Sequence, residues 1–125
     1  MVTLFSQQSF TGHAGQPLDW KIDCEALTVR DLTTLAELIS RRFNFRWVVG
    51  VPRGGLALAQ QLDKYAVNTS KHLLLIDDVL TTGKSMADTR QHYITQSIAR
   101  ENIVGCVIFA RNQPPDWVKA VFQLW

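Results

Sequence analysis

Residues 73–85 read LLLIDDVLTTGKS, and the fold turns on them. Four apolar residues, Leu73 to Ile76, run into two adjacent acids, Asp77 and Asp78, and Val79 is apolar again. Thr81, Thr82, Gly83, Lys84 and Ser85 follow, just ahead of a stretch with helical character. A short, unbroken apolar run predicts a strand over 72–77 that is buried on both faces. A strand that ends in carboxylates and opens onto a hydroxyl- and glycine-rich turn suits a sugar phosphate. The carboxylates accept hydrogen bonds from sugar hydroxyls, and the turn offers N–H groups, hydroxyls and a helix N-terminus to a phosphate. The same residues contain TGKS, the tail of a nucleotide-binding P-loop. That loop needs a glycine where Asp78 stands, and a carboxylate there would face the triphosphate. The P-loop reading fails on charge as well as on pattern.

Working outward, Leu32, Leu35, Ala36, Ile39 and Phe43 fall at helical spacing and predict a helix over 31–43. Residues 45–51, FRWVVGV, predict a second buried strand, rich in β-branched and aromatic side chains. Pro52 ends it and Gly54-Gly55 make a turn, after which 56–65 has the Ala, Leu and Gln content of a helix. Ser85 can cap a helix running to about residue 100, with Met86, Tyr93, Ile94, Ser97 and Ile98 towards one face. Residues 103–110 predict a third buried strand, Pro114-Pro115 breaks the chain, and 120–125 reads as a last short strand. Apolar strands alternating with helices predict an α/β fold: a parallel sheet of about four strands flanked by helices. In such sheets ligands bind beyond the carboxyl ends of the strands, where the 52–55 and 77–85 segments are both expected.

The chain has 125 residues, enough for one domain spanning 1–125. Its net charge of +2 and lack of a basic run give no footprint for nucleic acid. No segment has the apolar length of a membrane span, and the opening MVTLFSQQSF lacks the basic and apolar regions of a signal peptide. Cys24 and Cys106 lie far apart without metal-site spacing, which fits two reduced thiols in a cytoplasmic protein. Four tryptophans, Trp20, Trp47, Trp117 and Trp125, are many for so small a chain and lean towards a homodimer.

The 73–85 stretch resembles the 5-phosphoribosyl pyrophosphate (PRPP) signature of the type I phosphoribosyltransferases. That signature is four apolar residues, two acids, three mostly apolar residues, then Thr-Gly-x-Thr/Ser, with Lys84 here in the variable position and Ser85 in the closing one. Upstream, Pro52-Arg53-Gly54-Gly55 is similar to the pyrophosphate loop of the same family, which often holds a non-proline cis peptide. Two glycines let backbone approach an anion closely, and Arg53 adds a permanent, forked positive charge. Residues 10–23, FTGHAGQPLDWKID, resemble the start of the orotate phosphoribosyltransferases, matching at Phe10, Thr11, Gly15, Trp20, Ile22 and Asp23. His13 stands where that branch has a base-contacting lysine. An imidazole is charged only part of the time near neutral pH, so recognition of an acidic base is altered.

The resemblance implies transfer of a 5-phosphoribosyl group from PRPP to a nitrogenous base, with release of pyrophosphate and with Mg²⁺ as cofactor. It assigns the ribose hydroxyls and the metal, through its water shell, to Asp77 and Asp78. It assigns the 5′-phosphate to Thr81, Thr82, Gly83, Lys84 and Ser85, and the pyrophosphate to Arg53, Gly54 and Gly55. Residues 1–25, with His13, are expected to face the base, which is orotate-like. One departure matters. In the orotate enzymes a helix, a further strand and a mobile basic loop separate the two anion-binding loops, whereas here only residues 56–72 intervene, with Lys64 and Lys71 their only lysines. That gap leaves open a second reading, a PRPP-binding or regulatory protein without transferase activity. A third reading is an α/β domain in which Asp77-Asp78 and Thr-Thr-Gly coincide with an ordinary turn.

Overall fold

The computed structural model describes residues 4–11 and 17–124, with backbone only for 7–11 and 17–21. Strands β3 (Trp47–Gly50), β4 (Leu73–Leu80), β5 (Ile103–Ala110) and β6 (Val118–Gln123) form one sheet in the order β3-β4-β5-β6, every pair parallel. Helices α1 (Val29–Ser40), α2 (Leu56–Leu62) and α3 (Lys84–Thr95) flank it. The side chains of β4 explain why both faces need covering. Leu74 and Ile76 pack with Leu35, Ala36 and Ile39 of α1 and Leu58, Ala59 and Leu62 of α2. Leu73 and Leu75 point the other way, into a cluster that includes Met86 of α3, Ile103, Val107 and Val118. A strand alternates its side chains between faces, so an all-apolar strand requires two apolar surfaces to bury them.

Helix α1 starts two residues earlier than its apolar spacing predicts, because Thr28 caps it. The Asp31 N–H donates to Thr28 Oγ1 at 3.1 Å while the Thr28 N–H donates to Asp31 Oδ2 at 2.8 Å. This reciprocal pair satisfies two amides that the helix itself leaves open.

Three expectations need correction. Strand β4 does not stop at Asp77: Val79 and Leu80 still have rungs in β5, opposite Phe109 and Ala110, and extend the ladder to Leu80. The Asp78–Ile108 rung is absent between them, so Asp78 leaves the ladder while its neighbours stay in it. Helix α3 is capped by Gly83 rather than Ser85, and it ends at Thr95, short of residue 100. Its end is a Schellman turn: Ser97 sits at φ 73°, its N–H donates to the Ile94 carbonyl, and the Ile98 N–H reaches back to Tyr93. Glycine ordinarily fills that left-handed position; a serine there gives no stop signal. Ile98 still packs beside Tyr93 and Ile94 on the α3 core.

The sequence predicts no element before residue 31, yet β1 (Phe5–Thr11) and β2 (Pro17–Ile22) form an antiparallel hairpin. The Asp23 N–H closes onto the Leu4 carbonyl at 2.6 Å. Leu4, Ile22, Cys24 and Leu27 pack against the α1–α2 core. The Phe5 ring meets Phe109, near the carboxyl end of β5, edge-on with centroids 5.5 Å apart. The hairpin is thereby fixed beside the sheet edge where β4 and β5 end.

Candidate functional site

Two loops leave that edge. The first follows β3. The Val51 N–H donates to the Ile76 carbonyl at 2.7 Å, and the chain turns at once, the Gly55 N–H returning to the Val51 carbonyl at 2.9 Å. The Pro52–Arg53 peptide within this turn is cis. Arg53 and Gly54 are exposed and Gly55 is buried. The second loop follows β4, where Asp77 and Asp78 take opposite roles.

Asp77 is only 9% exposed, a lone buried polar side chain among the described core residues. Burial pushes its carboxyl well above the ordinary carboxylate range, and a hydrogen bond to the Asp78 side chain adds to the rise. The Asp78 N–H also donates to Asp77 Oδ1 at 2.8 Å. Asp78 is half-buried, and its Oδ1 accepts the Val79 N–H at 2.7 Å. That bond turns the Asp78 carboxylate back over the strand end and against Gly54. A Cβ placed on Gly54 would lie no farther than 2.5 Å from any of the three carboxyl atoms. Only a residue without a side chain allows this approach, and it brings the Arg53–Gly54 turn and the carboxylate pair into contact.

Beyond Leu80 the chain passes through Thr81 and Thr82 to Gly83, whose φ of 84° is the left-handed conformation that favours glycine. Gly83 starts α3. The Lys84 N–H is taken by Thr82 Oγ1 at 3.3 Å, and Ala87 is the first residue whose N–H closes on the helix, at the Gly83 carbonyl. Ser85 and Met86 therefore present amides without an acceptor among the described residues, at the positive end of a 12-residue helix dipole. Donors arranged in this way take up an anion. The Lys84 ammonium does not join them. It pairs with Asp88 Oδ2 at 2.7 Å along the helix, and that pairing raises its pKa.

Oxygen donors at this edge suit a hard divalent cation. Among the described residues no cluster of three or more His, Cys, Asp or Glu forms a cage. Mg²⁺ is commonly held by one or two carboxylates with waters and substrate oxygens completing its shell, and at this edge Asp78, with Asp77 beside it, is the group that would hold it.

No family model matches the chain's sequence, and no curated protein matches it by sequence. Solved structures do match its fold. Orotate phosphoribosyltransferase from Aeropyrum pernix superposes with a TM-score of 0.73 at 19% identity, over 97% of this chain and 89% of that one. The orotate phosphoribosyltransferase of Mycobacterium tuberculosis gives 0.65 at 14% identity, covering 96% of this chain and 89% of the other. UMP synthase of Leishmania donovani gives 0.70 at 15% identity over 97% of this chain, which spans 34% of that larger protein. The chain has the type I phosphoribosyltransferase fold.

Within this phosphoribosyltransferase fold, Arg53, Gly54, Gly55, Asp77, Asp78 and the 81–85 turn all fall at one edge of the sheet, as the motifs predict. His13 lies outside the described residues. Three further residues at this edge escaped the motif reading. The Cys24 thiol, half-buried after β2, is pushed up to about 12 by burial and then by Asp78, Asp23 and Asp77. It packs against the α1–α2 core. Arg111 directly follows β5; its N–H donates to the Leu80 carbonyl at 3.0 Å, and burial lowers its guanidinium pKa. Asn112 Nδ2 donates to the Thr81 carbonyl at 2.9 Å. The signal for the last two was their place immediately beyond a buried parallel strand, the same rule that located the other loops.

Proposed function

We propose that this protein binds PRPP and transfers its 5-phosphoribosyl group to a ring nitrogen of a nitrogenous base, releasing pyrophosphate. The observation that carries the reading is the contact between Gly54 and the Asp78 carboxylate. It joins the glycine-rich Arg53–Gly55 turn to the Asp77–Asp78 pair, which supports a single ligand that reaches both loops. Asp77 and Asp78 accept hydrogen bonds from the ribose 2′- and 3′-hydroxyls. The Ser85 and Met86 amides, with the Thr81, Thr82 and Ser85 hydroxyls, take the 5′-phosphate. The Gly54 backbone and the Arg53 guanidinium take the pyrophosphate, while the Gly55 N–H stays on the Val51 carbonyl and holds the turn.

In the reaction the base nitrogen supplies the electron pair for a new bond to the anomeric carbon. The bond from that carbon to the pyrophosphate oxygen breaks, and its electron pair leaves with pyrophosphate. No covalent nucleophile on the protein is needed. Positioning of the two ends of the sugar and stabilisation of departing charge by Arg53 supply the rate. Asp77 and Asp78 are the residues that would hold Mg²⁺, which would supply charge neutralisation for the departing pyrophosphate. An orotate-like acceptor is favoured by the resemblance of residues 10–23.

One observation favours a second reading, PRPP binding without turnover. Between the two loops the chain has only α2, a short 3₁₀ turn (Asp63–Tyr65) and the connection to β4. Of the two lysines in that stretch, Lys64 lies over the Tyr65 ring with its Nζ 5.4 Å from the centroid. Little positive charge is thus available to close over departing pyrophosphate. Incubating the protein with PRPP, Mg²⁺ and a panel of purine and pyrimidine bases, with pyrophosphate release as readout, tests the proposal. Base-dependent release supports transfer; tight PRPP binding in calorimetry without release supports the second reading; no PRPP binding refutes both.

A further inference from the structure

Asn112 lies outside every motif in the chain and is exposed, yet its side chain reaches across to the turn that follows β4. The β4–β5 ladder ends at the Leu80–Ala110 rung. One further backbone bond continues the clamp, from the Arg111 N–H to the Leu80 carbonyl at 3.0 Å. Beyond that point the two chains separate. Pro114 and Pro115 lead one towards β6, and Gly83 turns the other into α3. The Thr81 carbonyl is the next acceptor in line, and Asn112 Nδ2 fills it at 2.9 Å, one side-chain bond standing in for the next rung of the sheet. Because the acceptor is a carbonyl, only the amide nitrogen of Asn112 can face it, which fixes the orientation of the side chain.

We infer that Asn112 is a positioning residue for the 81–83 turn: it fixes the Thr81 peptide and so sets where the Thr82 hydroxyl and the Ser85 and Met86 amides point. As a contribution to phosphate capture, the inference rests on the reading given under Proposed function. Asn112 itself touches no substrate. Its effect passes through one peptide, because Gly83 at φ 84° is the joint about which an untethered turn would reorient.

Calorimetry on Asn112→Leu and Asn112→Gln, with ribose 5-phosphate and with Mg²⁺-pyrophosphate as separate probes, tests this, alongside amide hydrogen exchange over residues 82–86 without ligand. Asn112→Leu is close in shape, adds no charge and has no N–H to donate, whereas Asn112→Gln keeps the donor on a longer arm. The expected result is roughly fivefold weaker ribose 5-phosphate binding in Asn112→Leu, the worth of one hydrogen bond. Pyrophosphate binding stays unchanged, Asn112→Gln falls between, and exchange of the 82–86 amides speeds up in Asn112→Leu. A purely structural role would instead weaken both probes together, and that outcome overturns the inference. So does unaltered exchange in Asn112→Leu, whatever the ligands do. If the wild-type protein binds neither probe, the proposed function falls, while the exchange measurement still decides whether Asn112 holds the turn.

Discussion

The contact between Gly54 and Asp78 gives the sharpest test of the site. In Gly54→Ala the new methyl carbon would overlap the Asp78 carboxyl group, with all three of its atoms within 2.5 Å. The carboxyl group cannot stay where it is. The shortest relief is rotation of Asp78 away from the Val79 N–H, now 2.7 Å from Oδ1. That forfeits a hydrogen bond to a charged acceptor, about 1.5–3 kcal/mol. The alternative is to keep the bond and push the loop outward, and overpacking of that kind costs about 1–3 kcal/mol. Either route predicts a stability loss near 2 kcal/mol in urea unfolding. If Asp78 binds the sugar hydroxyls from its present position, PRPP affinity falls by a similar energy, roughly 30-fold. A double-mutant cycle with Asp78→Ala isolates the contact. Once the carboxyl group is gone the methyl has room, so the double variant should lose about 1–2 kcal/mol less stability than the two single losses combined. Stabilities that add to within about 0.5 kcal/mol would show that the two loops do not touch, and the site geometry would be wrong.

Other outcomes follow from the same geometry. Asp77 carries a raised pKa, so the folded protein binds a proton that the unfolded chain has already released above about pH 4. Its contribution to stability is complete below that pH and is lost as pH rises, by at most about 1.4 kcal/mol per unit. Asp77→Asn should flatten that slope in urea titrations between pH 4 and 8, and parallel slopes would refute the burial argument. Lys84→Ala should leave PRPP affinity within about twofold, because its ammonium serves Asp88, whereas Gly83→Ala forces a φ of 84° on an L residue and should destabilise by about 1–2 kcal/mol. Calorimetry and thermal unfolding compare the two directly. Met86→Ala opens a cavity beneath α3, where Met86 is 2% exposed, and should cost about 2–5 kcal/mol in chemical denaturation.

The sheet was legible where burial dictates composition. β5 spans Ile103–Ala110, the very residues its apolar run predicts, since a central parallel strand has no solvent face to show polar residues. Legibility failed where a side chain took an unusual part. Ser97 in a left-handed turn hid the end of α3, and the Thr28 cap moved the start of α1 beyond its apolar face. The extension of β4 past Asp77 depends on partners in β5, which a local pattern does not contain. The candidate site was legible as two separate motifs. Their meeting at Gly54 and Asp78 was not, nor was the reach of Asn112, because both are long-range contacts set by the sheet.

The order β3-β4-β5-β6 leaves the strand that leads into the Arg53 loop outermost, paired on one side only among the described residues. It is four residues long, and Trp47 at its start is 46% exposed. The two acids are embedded in an interior strand, so the two loops stand on unequal supports, the Arg53 loop following an outer strand held through four rungs. Fluctuations that unzip the outer strand would separate Arg53 from the acids long before the molecule unfolds. Ligand retention should therefore decline on heating at temperatures where the core is still intact.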